Sequence, residues 1–332
     1  MKKEIFISAS EINLMSLKDI IKKKRNPTFY FFSGKGGVGK TSVAAASALW
    51  FSGKGKKVLI ISTDPAHSLS DSFEIKIGGE GRKIKKNLFA VEIDPQKAMA
   101  EYKEKIAPKL EKIEYLQSLG LEDTFDIAGM TPGIDEIAAF DKFLQYMGSE
   151  DYDVIIFDTA PTGHALRFLS LPDIMDSWVG KIIKIRMKFA GLANLVKKIL
   201  PFGKSDDEPG LGTEQFEAMK KRIEKAREIL SNPKKTHYNI VLIPEEMSIL
   251  ESERAIKTLG QYNIKIENII VNQLVPKNPH CEFCKEKRKI QLERMKIISD
   301  KFKKYKTMKL QLFKEEVKGF EMLEKVGKEL YG

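Results

Sequence analysis

The stretch YFFSGKGGVGKTS, from Tyr30 to Ser42, decides how this chain is read. The apolar run Phe29 to Phe32 passes into Gly34, Gly36, Gly37 and Gly39, then into Lys40-Thr41, where VAAASAL opens a helix. Gly34 to Thr41 satisfies G-x-x-x-x-G-K-T, the phosphate-binding loop. Its glycines let successive backbone N–H groups wrap an anion, and Val38 and Ser42 extend the cradle to the helix. Lys40 is placed to reach the β- and γ-phosphates and Thr41 to offer its hydroxyl to Mg²⁺. The helix that follows turns its positive end toward the same phosphates. Gly34, Gly36 and Gly39 also satisfy the dinucleotide pattern G-x-G-x-x-G. The Lys-Thr pair decides for a nucleoside triphosphate, because a dinucleotide turn has no use for a lysine aimed at a terminal phosphate. Lys35, after the first glycine, sits at the wrong end of the loop for its own γ-phosphate. It is either a solvated lysine or a catalytic group given to a neighbouring subunit, in the manner of an arginine finger supplied in trans.

The chain has 332 residues, enough for one large domain or two. With 42% hydrophobic residues it is globular rather than disordered. Its net charge of +11 favours anionic partners, although a lysine-rich surface is also simply a soluble one. No apolar run approaches the roughly 18 residues that span a bilayer. The apolar patch before Glu11 is too short for a secretory signal. A cytoplasmic protein with two reduced cysteines is therefore expected.

Residues 11–24 have the pattern of a short amphipathic helix. A helix over 40–52 and a strand at Lys57 to Thr63 complete a β-α-β unit, which calls for a parallel sheet with helices on both faces. Asp64 follows that strand in the run DPAHSLSD, and ligands sit at such strand ends. Its work is then to orient or deprotonate the attacking water; as an alternative it caps the next short helix. Leu88 to Asp94 reads as a strand, residues 95–120 as a charged helix and 135–147 as another helix. Asp153 to Phe157 is a buried strand ending at Asp158, the position that holds a Mg²⁺ shell in nucleotide sites. Gly163, beyond it, gives that segment the freedom of a switch loop.

Between 176 and 200, Trp178, Ile182, Ile185, Phe189, Leu192, Val196 and Ile199 recur at helical spacing on one face. Lysines and Arg186 surround them. Such a helix can belong to a core, lie on a membrane surface, or wall a groove for a partner's apolar helix. A charged helix is expected at 213–231, strands at 238–243, 266–271 and 307–313, and a closing helix after them. Asn272, after the second of these strands, suits bidentate pairing with N6 and N7 of adenine. Gln273, Leu274 and Val275 supply no acid for guanine, so ATP is expected. Cys281-Glu-Phe-Cys284 has the spacing of half a tetrahedral Zn²⁺ site. Two copies meeting at a symmetry axis would complete four thiolates. A redox pair and two unrelated loop thiols are the other readings.

Taken together, GKGGVGKT at 34–41, DPAHSLSD at 64–71, PGIDE at 132–136, DTAPTGHALR at 158–167, PEEMSILESER at 244–254, the Asn272-Gln273 pair and the Cys-x-x-Cys resemble one family. It contains the arsenical pump-driving ATPases and the ATPases that target tail-anchored membrane proteins. The resemblance spans nearly the whole chain, in family order. It implies a doubly wound, mostly parallel α/β P-loop ATPase with an inserted α-helical subdomain. The core would take 26–94, 135–175 and 235–332, and the client-binding subdomain 95–134 and 176–232. It implies a homodimer holding zinc between the Cys281 and Cys284 of both subunits, with Lys35 on the partner's phosphates and Glu245 near the interface. Asp64 would activate water, Thr41 and Asp158 serve Mg²⁺, and Asn272 read adenine. The expected partners are a client's transmembrane helix and a membrane receptor, with no nucleic acid. Two rival readings are an arsenite-stimulated pump ATPase and a partition-type ATPase on membrane or DNA. The first is at odds with a chain that has one copy and two cysteines where an As(III) site needs three thiols.

Overall fold

The computed structural model describes residues 25–63, 68–94, 97, 100–101, 142–158, 213–278 and 280–332, with 213–220 and 223 as backbone only. In chain order the elements are β1 (Thr28–Ser33), α1 (Lys40–Gly53), β2 (Val58–Ser62), α2 (Ser68–Phe73), β3 (Arg82–Lys85), β4 (Leu88–Glu92) and β5 (Val154–Asp158). Then come α3 (Thr213–Ser231), β6 (Thr236–Leu242), α4 (Glu246–Gln261), β7 (Ile266–Leu274), α5 (Glu282–Lys301), β8 (Lys306–Gln311) and α6 (Gly319–Tyr331). Residues 142–147 are also helical.

The strands form one eight-stranded sheet in the order β3-β4-β2-β5-β1-β6-β7-β8. Every pairing is parallel except β3 with β4. Strands β2 and β5 are buried along their whole length, as continuous apolar runs in the middle of a parallel sheet should be. Alternation sends Phe31, Leu59 and Ile155 to one face and Phe32, Ile60 and Ile156 to the other. The first face is covered by residues of α3, α4 and α5 together with Leu144 and Met147, the second by α1, α2 and α6. Helices on both faces make this a doubly wound α/β fold, as the β-α-β pattern implies.

Helix α1 is buried on all sides in its middle, from Val43 to Leu49. The small side chains there let α6 approach closely. A Cβ on Gly327 of α6 would sit 3.1 Å from the carbonyl oxygen of Ala46. The Ser47 hydroxyl donates to Val43 O at 2.7 Å, so the Tyr331 hydroxyl donates to Ser47 Oγ at 2.8 Å. Burial pushes that phenol up to about 12.

Three features differ from the sequence reading. β3 is an antiparallel edge strand that its charged sequence RKIK does not announce. β7 runs to Leu274 rather than ending at 271, because it crosses an irregularity in its pairing with β8 between Val271 and Leu274. Asn272 and Gln273 therefore lie inside a strand. The end of α3 buries Ala226, Ile229 and Leu230 in the sheet's core, although 176–232 is the range expected for the helical subdomain. The helix expected at 11–24, most of that expected at 95–120, the first part of that expected at 135–147, and the apolar stripe from Trp178 to Ile199 lie outside the described residues. Among the described residues no helix is long and apolar enough to cross a membrane.

Candidate active site

The register of the sheet builds the site. Phe32 of β1 pairs with Asp158 of β5, and Asp158 pairs with Ser62 of β2. Three strands therefore end together where the loop from β1 turns into α1. Helix α1 starts from Gly39, which has φ 87° and no side-chain cap. An uncapped N-terminus keeps its first N–H groups for an anion.

Two glycines in this loop are fixed by contact as well as by conformation. A Cβ on Gly34 would lie 2.0 Å from the Val241 carbonyl oxygen of β6. A Cβ on Gly39 would lie 2.4 Å from Asn272 Nδ2. Gly36 and Gly37 are open to solvent. Val38 is fully buried and anchors the loop's underside.

Lys40 is only 6% exposed, and its ammonium donates to the Lys35 carbonyl at 3.2 Å. This bond holds the cation against the loop, at the place a terminal phosphate would enter. The Lys35 side chain is partly exposed. Thr41 Oγ1 donates to Asp158 Oδ2 at 2.7 Å and lies 3.3 Å from Ser68 Oγ. Ser62 Oγ donates to the same carboxylate oxygen at 3.2 Å. Asp158 is 1% exposed. A carboxylate bonded by the Thr41 and Ser62 hydroxyls, with the Ser68 hydroxyl beside Thr41, is a set of hard oxygen donors, the chemistry that Mg²⁺ takes alongside phosphate. Ser62 and Ser68 escape a reading of the sequence, although Ser68 lies within DPAHSLSD. Asp64 and the segment after Asp158 lie outside the described residues.

Asn272 Nδ2 donates to Val38 O at 2.9 Å, and its Oδ1 accepts from Gln273 N at 2.8 Å. One amide proton and one lone pair remain on that side chain, enough for one further bidentate contact. Gln273 Nε2 donates to Gly37 O at 3.3 Å. Beside these residues opens a cleft of about 1020 Å³, whose lining includes Gly39, Ser42, Asn272, Gln273 and residues 311–313 and 315–318.

Cys281 caps α5, its Sγ accepting from Cys284 N at 3.2 Å. Hydrogen bonds from the Cys284 thiol and amide hold the Cys281 thiol below its usual range, and the shared bond raises Cys284. Both are free thiols. Among the described residues no group of three or more His, Cys, Asp or Glu side chains is placed to hold a metal. Any tetrahedral site here needs ligands beyond this pair. Glu245 precedes α4, exposed, 3.7 Å from Lys287 of α5.

A strand-loop-helix phosphate cradle, a buried lysine and a Thr-Asp pair define a P-loop nucleoside triphosphatase. Residues 27–332 match the family described as anion-transporting ATPase. The chain is 37% identical over 326 residues to ATPase GET3 of Podospora anserina, covering 96% of this chain and 93% of that protein. It is 38% identical over 298 residues to ATPase GET3B of Arabidopsis thaliana, covering 82% and 70%. ATPase ASNA1 homolog 2 of Paramecium tetraurelia is 35% identical over 320 residues, covering 93% and 94%. The chain belongs to the anion-transporting ATPase family, and its chemistry is the hydrolysis of ATP with Mg²⁺.

Proposed function

We propose that this ATPase shields the transmembrane helix of tail-anchored proteins and carries them to a membrane receptor. One observation carries the reading. The apolar stripe from Trp178 to Ile199 belongs to a chain whose sheet already bears helices on both faces. A basic helix with such a stripe suits a groove for another apolar helix better than a second layer of core. Its likeness to the GET3 ATPases supports the same reading. The segments 95–134 and 176–232, apart from the end of α3 that packs on the sheet, supply the groove in this reading, and two subunits together make it long enough for a client helix.

Within the site, the backbone from Gly34 to Ser42 cradles the phosphates and Lys40 moves from the Lys35 carbonyl to the β- and γ-oxygens. Mg²⁺, when bound, would supply neutralisation of the phosphate charge. Thr41 and Asp158 orient its shell, and Asp64 takes the proton of the attacking water. Asn272 spends its remaining donor and acceptor on adenine, in the cleft it shares with residues 311–313 and 315–318. Lys35 serves the phosphates of the partner subunit.

The cysteine pair argues for the homodimer. Two thiols on one turn fit half of a tetrahedral zinc site, and a second copy supplies the other half. Phe283, between them in sequence, is 76% exposed. Ile290 and Ile297 follow it on α5 at intervals of seven residues, also exposed. An apolar edge beside an incomplete ligand set suits an interface, with Glu245 close to it across Lys287. The protein works in the cytoplasm, where the thiols stay reduced.

Co-expression with a protein ending in a hydrophobic helix of roughly 20 residues tests this function. The client is expected to co-purify in soluble form with the wild-type chain. It is expected to be lost when Ile182, Ile185 and Phe189 are replaced by Asp. Equal recovery with and without those substitutions would overturn the groove.

A further inference from the structure

We propose that Gln291 on α5 is a positioning residue of the nucleotide site, setting the aim of the phosphate-binding N–H groups through the Asn272-Gln273 segment. No motif in the sequence marks this residue, and its hydrogen bonds go to the backbone of Gln273 and Val275 rather than to the loop. It is 7% exposed, a buried amide on a helix otherwise rich in charge. Both ends of its side chain are used. Oε1 accepts from Val275 N at 2.8 Å, and Nε2 donates to Gln273 O at 3.0 Å. The two bonds clamp the backbone on either side of Leu274.

The clamped backbone is unusual. Gln273 has φ +58°, left-handed for a residue with a side chain, where the pairing of β7 with β8 breaks register. A non-glycine residue stays there only when its surroundings over-determine it. Two bonds from one buried amide do this. The twist in turn throws two side chains onto the phosphate loop: Gln273 Nε2 onto Gly37 O and Asn272 Nδ2 onto Val38 O.

Those carbonyls matter because a trans peptide is planar. The oxygen of Gly37 and the N–H of Val38 share one plane and point in opposite directions. The oxygen of Val38 and the N–H of Gly39 do the same. Holding both oxygens toward β7 therefore fixes both N–H groups toward the loop's interior, where an anion is wrapped. The chain of bonds runs from Gln291 to Gln273, then to two loop peptides, then to phosphate. Helix α5, which carries Cys281 and Cys284 at its start, is by this route tied to the nucleotide loop.

The test is equilibrium binding of a non-hydrolysable Mg·ATP analogue to three variants and their wild type, each checked as folded by circular dichroism. Gln291→Leu is expected to weaken binding about ten-fold, as the loss of a buried bond pair implies. Gln273→Gly adopts the left-handed backbone without needing the clamp and removes one of the two side chains through which Gln291 acts. Adding Gln291→Leu to Gln273→Gly is expected to cost less than two-fold further. A ten-fold loss in both backgrounds would overturn the route through Gln273. Gln291→Glu keeps the acceptor for Val275 N but loses the donor for Gln273 O. Protonation of that buried carboxyl restores a donor. Its deficit relative to wild type is expected to shrink from pH 8 to pH 6, while that of Gln291→Leu stays constant. Affinities within two-fold of wild type in folded Gln291→Leu would refute the proposal. They would leave the family's ATP chemistry untouched, because wild-type binding is measured in the same experiment.

Discussion

Lys40→Ala brings ATP hydrolysis down by a factor of about 10² to 10³, the usual cost of removing one charged stabiliser from a preorganised site. The lysine's exposure, 6%, means its charge acts where water is scarce. Its bond to the Lys35 carbonyl shows the ammonium already held inside the loop, so phosphate replaces one acceptor with a stronger one. Removing it leaves the Lys35 carbonyl able to turn to solvent, and the fold is expected to keep its thermal midpoint within a few degrees. Phosphate release at saturating Mg·ATP measures the effect. A rate within ten-fold of wild type would mean that the loop's N–H groups carry the phosphate charge without it.

Asp158→Asn is expected to lower the rate about 10²-fold and to raise the Mg²⁺ concentration needed for half-maximal rate at least ten-fold. The amide keeps the size of the carboxylate and an acceptor oxygen for Thr41 Oγ1, now 2.7 Å away. What it loses is the negative charge. Asp158 is 1% exposed with the Ser62 and Thr41 hydroxyls on one oxygen. The variant thus separates two roles that coincide in the wild type. If the aspartate served only to hold β5 against β1 and β2, the Mg²⁺ requirement would not move. A titration of hydrolysis against Mg²⁺ at fixed ATP reads the difference.

Much of this architecture is legible in the chain before any coordinates. The apolar runs ending in Gly34, Ser62 and Asp158 mark the central strands because parallel strands buried on both faces need unbroken hydrophobic sequence. The Gly-Lys-Thr run marks the cradle because few other uses exist for glycines and a lysine in that spacing. What is hidden lies in pairings between distant residues. Gln291 is 18 residues from Gln273, on a helix whose lysines and glutamates dominate its pattern. Nothing local says that one glutamine among them turns inward. The twist at Gln273 is likewise invisible, because glutamine is not a residue that advertises left-handed backbone. β3 is hidden for the opposite reason: a short charged edge strand carries no periodicity to read, and its lysines suit an exposed edge. Ser62 and Ser68 gain meaning only once the sheet register brings them to Thr41 and Asp158.

The nucleotide loop and the proposed apolar groove are parts of one device only if the state of the first governs the second. Client complex purified from co-expression can be divided and incubated with Mg·ADP or with a non-hydrolysable Mg·ATP analogue, and the client remaining soluble measured by sedimentation. More client is expected to stay bound with the analogue than with ADP, and Lys40→Ala is expected to erase the difference. Equal retention with both nucleotides in the wild type, at concentrations shown to saturate the site, would contradict an ATP-governed carrier.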